Sequence, residues 1–216
     1  MGRRDVPATI LTYMNSLYQL KPTFQNKLRP LVNRIASIGV TANQVTIFAT
    51  ILSTLVGIAI TLWNEYHWLL LIVPPVMLIR MALNAIDGML AREHGMKSIF
   101  GGILNELTDV ISDAVLYLPF AVIPHISSYL VVVVVILSII SEMAGVLGVV
   151  AGGSRRYDGP MGKSDRAFIF ALISLLLGFG IVPGIWLDII FTLTIALLAG
   201  NIFNRVRNTL IELENR

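Results

Sequence analysis

Six apolar runs, each near the length that crosses a bilayer, restrict this 216-residue chain to one kind of architecture. A helix needs about 20 mostly apolar residues to span the hydrocarbon layer. Such runs fall at residues 44–63, 68–86, 103–123, 128–150, 167–181 and 185–204. Pro124-His125-Ile126-Ser127 separates the third run from the fourth, and Val182-Pro183-Gly184 separates the fifth from the sixth. The reading is an all-α polytopic membrane protein with six transmembrane helices. One membrane domain is expected over residues 1–216, with an interfacial segment at 1–43, the bundle at 44–204 and a tail at 205–216. With 56% hydrophobic and 13% charged residues, the composition is that of a membrane protein. The absence of cysteine excludes disulfides and thiolate-held zinc.

Charge placement orients the chain. Lys and Arg accumulate in cytoplasmic loops. Arg3, Arg4, Lys21, Lys27, Arg29 and Arg34 precede the first run, and Arg92 and Lys97 lie between the second and third. Arg155, Arg156, Lys163 and Arg166 lie between the fourth and fifth, and Arg205, Arg207 and Arg216 follow the sixth. The loops 64–67, 124–127 and 182–184 carry neither residue. Both termini are therefore expected in the cytoplasm, at a bacterial inner membrane. Because the basic residues sit mostly at the ends of apolar runs, the net charge of +3 does not point to nucleic acid. No apolar core followed by a small-residue cleavage site opens the chain, so no signal peptide is expected.

Residues 20–38 carry Phe24, Leu28, Leu31, Ile35 and Ile38 on one helical stripe, with Lys27, Arg29 and Arg34 off it. This pattern predicts an amphipathic interfacial helix, also able to pack on the bundle. Pro30 predicts a break or kink in it.

Polar groups at helical spacing interrupt the second and third runs. Asn84 and Asp87 share a face, as do Asn105, Asp109 and Asp113. Ionisable groups inside a membrane are costly and mark functional cavities. Oxygen ligands converging from two helices would suit a hard divalent cation. Arg80, two turns before Asp87, either snorkels to the interface or faces that cavity, and a pairing of Arg80 with Glu142 is one way to hold both.

The stretch from Asn84 to Asp109 resembles the signature of the CDP-alcohol phosphatidyltransferase family: D-x-x-D-G-x-x-A-R, a spacer, then G-x-x-x-D-x-x-x-D. Asp87, Gly88, Ala91, Arg92, Gly101 and Asp109 match it, with residues 93–100 as the spacer. Asn84 and Asn105 stand where the pattern has Asp. Asn43 and Thr46 resemble the family's Asn-x-x-Thr step, and Gly162-Lys163 its Gly-Lys step.

The resemblance implies transfer of a substituted phosphate, with Mg²⁺ or Mn²⁺, from a CDP-linked donor such as CDP-diacylglycerol. An alcohol hydroxyl attacks the phosphorus distal to cytidine, and CMP leaves. It implies Asp87 and Asp109 as metal ligands, Asn84 and Asn105 at ligand positions, and Asp109 as general base. It places Asn43, Thr46, Gly88, Ala91 and Arg92 around the CDP moiety, and it implies a homodimer.

Each Asn keeps a carbonyl oxygen but removes a negative charge. Glu106 and Asp113 are candidates to restore that charge as further metal ligands; otherwise Glu106 pairs with Arg92 or another basic group and Asp113 contacts a neighbouring helix. The loop bearing Arg155, Arg156, Lys163 and Arg166 is the candidate acceptor-recognition element, its charge suited to a phosphorylated alcohol, or else it is a positive-inside anchor. Three alternatives accompany the main reading. One is a soluble CDP-alcohol donor with diacylglycerol as acceptor. Another is a catalytically impaired protein that binds lipid or nucleotide. The last, a small transporter, is disfavoured because the acidic residues gather near one membrane face.

Overall fold

The computed structural model describes the backbone of residues 8–215 and the side chains from Thr23 onward. Arg3, Arg4 and Arg216, and the side chain of Lys21, lie outside the described residues. Among the described residues there are seven α-helices and no strands: α1 (Ala8–Ser37), α2 (Ala42–Leu62), α3 (Val73–Glu93), α4 (Ile99–Tyr117), α5 (Ser128–Val150), α6 (Lys163–Gly178) and α7 (Ile185–Glu214). Two 3₁₀ segments, His67–Ile72 and Leu118–Val122, lead into α3 and out of α4.

Four segments are long and apolar enough to cross a membrane: Ala42–Leu62, His67–Glu93, Ser128–Val150 and Ile185–Glu214. Two expected spans fall outside this set. The helix α4 carries Glu106, Asp109 and Asp113 within its 19 residues, and α6 has only 16 residues. The sixth run also differs, since α7 continues as helix to Glu214 rather than ending at residue 204.

Pro30 does not end α1, which stays helical from Ala8 to Ser37. The proline removes one backbone bond. It lies on an exposed side of the helix, where the Asn26 carbonyl that loses its donor can be solvated.

The chain divides into two compact units, Met1–Ile47 with Met81–Asn105, and Phe48–Arg80 with Glu106–Arg216. In the first, Val32 of α1 is fully buried with Ala42, Val45, Ile86, Met89 and Leu90. Leu28, Ile35 and Ala36 flank that core, whereas Leu31 and Ile38 remain 47% and 72% exposed. The apolar stripe of α1 therefore splits, one edge packed and the other exposed. Arg29 closes this unit with an ion pair to Glu93 at 3.1 Å.

The second unit is centred on aromatic rings. Tyr117 stacks on Phe170 with centroids 4.0 Å apart, and Phe120 and Phe191 pack around the same ring. Its α2 and α4 segments meet at Gly57, where an added Cβ would overlap the Val115 carbonyl oxygen. Small residues permit such close helix approach. Gly57→Ala is expected to cost about 1–3 kcal/mol through overpacking, read as a lower thermal midpoint in detergent.

Candidate active site

In the first unit the sequence folds so that the start of α2 meets the end of α3. Thr46 Oγ1 lies 2.8 Å from Asp87 Oδ2 and 3.1 Å from the Ala42 carbonyl. Its single proton is best given to the carboxylate, the stronger acceptor. Both side chains are buried, Thr46 at 7% and Asp87 at 6% exposure. Five residues beyond Asp87, the Arg92 guanidinium lies over Gly88, where a Cβ would come within 3.1 Å of both terminal nitrogens. Arg92 makes no ion pair among the described residues. Of the partners offered for Glu106, Arg92 or another basic group, it takes the second, Arg155. Gly101, which opens the second half of the motif, leaves room for Asn43, whose Oδ1 would lie 2.7 Å from a Cβ there. Asn84 and Asn105 are both partly buried.

The second unit holds a chain of alternating charges. Lys163 Nζ is 2.6 Å from Asp109 Oδ1, and Arg80 is 4.0 Å from the same oxygen. Arg80 donates to Asp113 at 2.8 Å. Arg166 lies 3.8 Å from Asp113 and donates to Glu142 at 2.8 Å. Arg155 bridges Glu142 at 3.1 Å and Glu106 at 2.9 Å, and Arg205 stands 3.5 Å from Glu142. Arg166 and Arg205 are 0% and 2% exposed. Burial pulls the Arg155 guanidinium down, but its bonds to Glu106 and Glu142 outweigh that and raise it above the ordinary arginine value.

The loop that delivers these arginines is fixed from both sides. Asn201 Nδ2 donates to the Pro160 carbonyl at 2.7 Å and to Asp158 at 3.1 Å. Met161 adopts φ 60°, a left-handed backbone uncommon for a side-chain-bearing residue. Its carbonyl accepts from Arg166 Nη1 at 3.2 Å, which helps hold that conformation. Gly162 N–H donates to Asp165 at 2.9 Å and so caps the start of α6, leaving Lys163 in its first turn. Arg156 is bound by Glu212 and by the Asn208 carbonyl.

Several expectations change here. Arg80 pairs with Asp113, not with Glu142, and at 5% exposure it is buried rather than snorkelling. Arg205 is a buried member of the network rather than part of a tail. The only sequence trace of that role is Asn201, one helical turn before it on α7. Glu106 and Asp113, the candidates for extra metal ligands, sit on Arg155 and Arg80. Among the described residues, no three Asp, Glu or His side chains are gathered as a metal cage. The motif donors Asp87, Asp109, Asn84 and Asn105 are nevertheless all oxygen donors, which suits Mg²⁺ or Mn²⁺ in kind.

Residues 39–201 match the family model for CDP-alcohol phosphatidyltransferase. The chain belongs to the CDP-alcohol phosphatidyltransferase family and is an integral membrane enzyme of that class. It is 42% identical over 196 residues to inner membrane protein YnbA of Escherichia coli, covering 91% of this chain and 97% of that protein. It is 34% identical over 101 residues to archaetidylinositol phosphate synthase of Pyrococcus horikoshii, covering 45% of this chain and 50% of that protein. The fold is similar to Mycobacterium tuberculosis phosphatidylinositol phosphate synthase with CDP-DAG bound. That likeness has TM-score 0.70 and 20% identity, over 83% of this chain and 92% of that one. The same synthase with manganese and citrate gives TM-score 0.70 and 21% identity, over 84% and 88%.

Proposed function

We propose that this enzyme transfers a phosphatidyl group from CDP-diacylglycerol to the hydroxyl of a small alcohol and releases CMP. The observation that carries this reading is the end of α3. There the buried Asp87, held by Thr46, and Arg92 over Gly88, without an ion pair among the described residues, offer a carboxylate and a cation five residues apart. Arg92 would neutralise donor phosphate oxygens, and Asn43, Thr46, Gly88 and Ala91 would border the CDP moiety. Asp87 and Asp109, with the Asn84 and Asn105 carboxamides, would hold Mg²⁺ or Mn²⁺. A bound divalent cation would offset the charge that develops on the leaving pyrophosphate oxygen. Asp109 would accept the proton of the alcohol as its oxygen bonds to the phosphorus distal to cytidine and the bond to CMP breaks. For that, Asp109 must part from Lys163. Arg155, Arg156, Lys163 and Arg166 would shape the acceptor side.

We also propose that α4 and α6 cross the membrane, giving six spans, both termini cytoplasmic, an interfacial α1 and a homodimer in a bacterial inner membrane. The lipid-compatible faces support the two extra spans. On α4, Ile103, Leu107 and Ile111 are 57%, 58% and 48% exposed, opposite carboxylates that are all ion-paired. On α6, Phe168 and Leu172 are likewise exposed.

The test is CMP release by the purified protein from CDP-diacylglycerol, with Mg²⁺ or Mn²⁺ and a panel of alcohols. Metal- and alcohol-dependent release is expected. A donor swap to soluble CDP-alcohols with diacylglycerol separates the reversed reaction. Two observations favour a second reading, a catalytically impaired lipid- or nucleotide-binding protein: the paired Asn84 and Asn105, and the Lys163 contact to Asp109. The double variant Asn84→Asp, Asn105→Asp distinguishes them. Because ligand charge sets cation affinity, it is expected to bind Mn²⁺ about tenfold tighter or more, read by electron paramagnetic resonance. If release then arises only in the variant, the impaired reading holds.

A further inference from the structure

The basic loop that makes the sequence look ready for a phosphorylated acceptor is electrically spent within the fold. Arg155 gives Nε and Nη2 to Glu106, at 3.1 and 2.9 Å, and Nη2 also to Glu142 at 3.1 Å. Its Nη1 is taken by the Arg156 carbonyl at 3.1 Å. Arg166 is fully buried on Glu142 and the Met161 carbonyl. Arg205 is buried on the Ser141 and Asp158 carbonyls beside Glu142. Arg156 is held by Glu212; Lys163 stands on Asp109 but is released in the proposed chemistry, so the exclusion rests on the arginines. Around the network, Arg80, Lys163, Arg155, Arg166 and Arg205 face Asp109, Asp113, Glu142 and Glu106, which leaves one net positive charge.

A phosphate dianion needs donors that are not already committed, because arginine recognises it through the same fork that grips a carboxylate. Here it would have to evict Glu106 or Glu142 from Arg155. The exchange replaces one charge-assisted bond by another and strands a carboxylate in a partly buried setting, which is unfavourable. Gly145 adds a geometric lock, since a Cβ there would overlap the Arg155 guanidinium that now fills its place.

We propose that the acceptor of this enzyme is an alcohol without a phosphate group, and that Glu106 and Glu142 are the specificity determinants that exclude the phosphorylated form. The inference rests on the transferase reading for the word acceptor, but its electrostatic core is a property of the network alone. Glu106 is the accessible handle, its side chain 41% exposed, so Glu106→Gln keeps the shape and removes the charge with little risk to folding.

Two measurements test it on the full-length protein in detergent. In the first, inorganic phosphate and glycerol phosphate are titrated calorimetrically, without donor, into Arg92→Gln, which removes the donor-side cation, and into the double variant Arg92→Gln, Glu106→Gln. Arg92→Gln is expected to bind both weakly, and the double variant to gain affinity by about tenfold or more, the value of one charge-assisted hydrogen bond. Tight phosphate binding by Arg92→Gln, or no gain on adding Glu106→Gln, overturns the proposal whether or not the protein is catalytic. In the second, CMP release is compared for glycerol against glycerol phosphate and for inositol against inositol phosphate. The unphosphorylated member of each pair is expected to have the higher kcat/KM, and the ratio to move toward the phosphorylated member in Glu106→Gln. Preference for the phosphorylated members by wild type overturns the proposal. Failure of every alcohol to release CMP, with the calorimetric result as expected, overturns the transferase reading and the word acceptor, while the exclusion of phosphate by Glu106 stands.

Discussion

Asp109→Asn is expected to lower alcohol-dependent CMP release by about 10²–10⁴-fold, the range a positioned general base contributes. The carboxamide keeps the size of the side chain and one oxygen for Lys163, which lies 2.6 Å away in the wild type. It cannot accept the alcohol proton. CDP-diacylglycerol binding should persist, because Asp87, Thr46 and Arg92 are untouched. The check is a paired measurement of CMP release and of donor binding on the same preparation. Loss of both together would mean that Asp109 acts through metal binding or structure rather than as the base. Unchanged release would remove it from the chemistry.

Glu142→Leu is the substitution expected to cost most in stability, about 3–5 kcal/mol, the range for removing one partner of a buried ion pair. Glu142 is approached by Arg166 at 2.8 Å, Arg155 at 3.1 Å and Arg205 at 3.5 Å. Without it, two buried guanidinium groups, Arg166 and Arg205, lose their shared carboxylate. The loop 151–162 that Arg155 and Arg166 help anchor should loosen as well. A large drop in thermal midpoint in detergent, together with proteolytic cleavage in that loop, is the expected result. A midpoint within a degree or two of wild type would show that the carbonyls of Ser141, Met161 and Asp158 suffice for these arginines.

Much of the local structure was legible in the residues. The α5 boundaries agree with the run at 128–150, because Pro124 and Ser127 mark its start and Gly152 and Gly153 its end. The Gly162-Lys163 step opens α6, where the Asp165 carboxylate takes up the backbone N–H of Gly162. The motif residues fall on α3 and α4, since spacings of three and four put them on common helix faces. The break offered at Pro30 does not occur, because a proline weakens a helix by one bond and packing of Val32 and its neighbours outweighs that locally.

The partners of the charged side chains were not legible. Arg80 and Asp113 are 33 residues apart, and Arg205 and Ser141 64. Periodicity assigns a residue to a face of its own helix but carries no information on which other helix that face meets. The sequence alone therefore determined a helical membrane protein, the family to which its motif belongs, and the oxygen and cation groups available for phosphate chemistry. Only the tertiary structure decided that Arg155, Arg166 and Lys163 face carboxylates rather than open space. The physical reason is that helix packing sets the distances between charges, and distance decides whether an arginine waits for a ligand or is already bound.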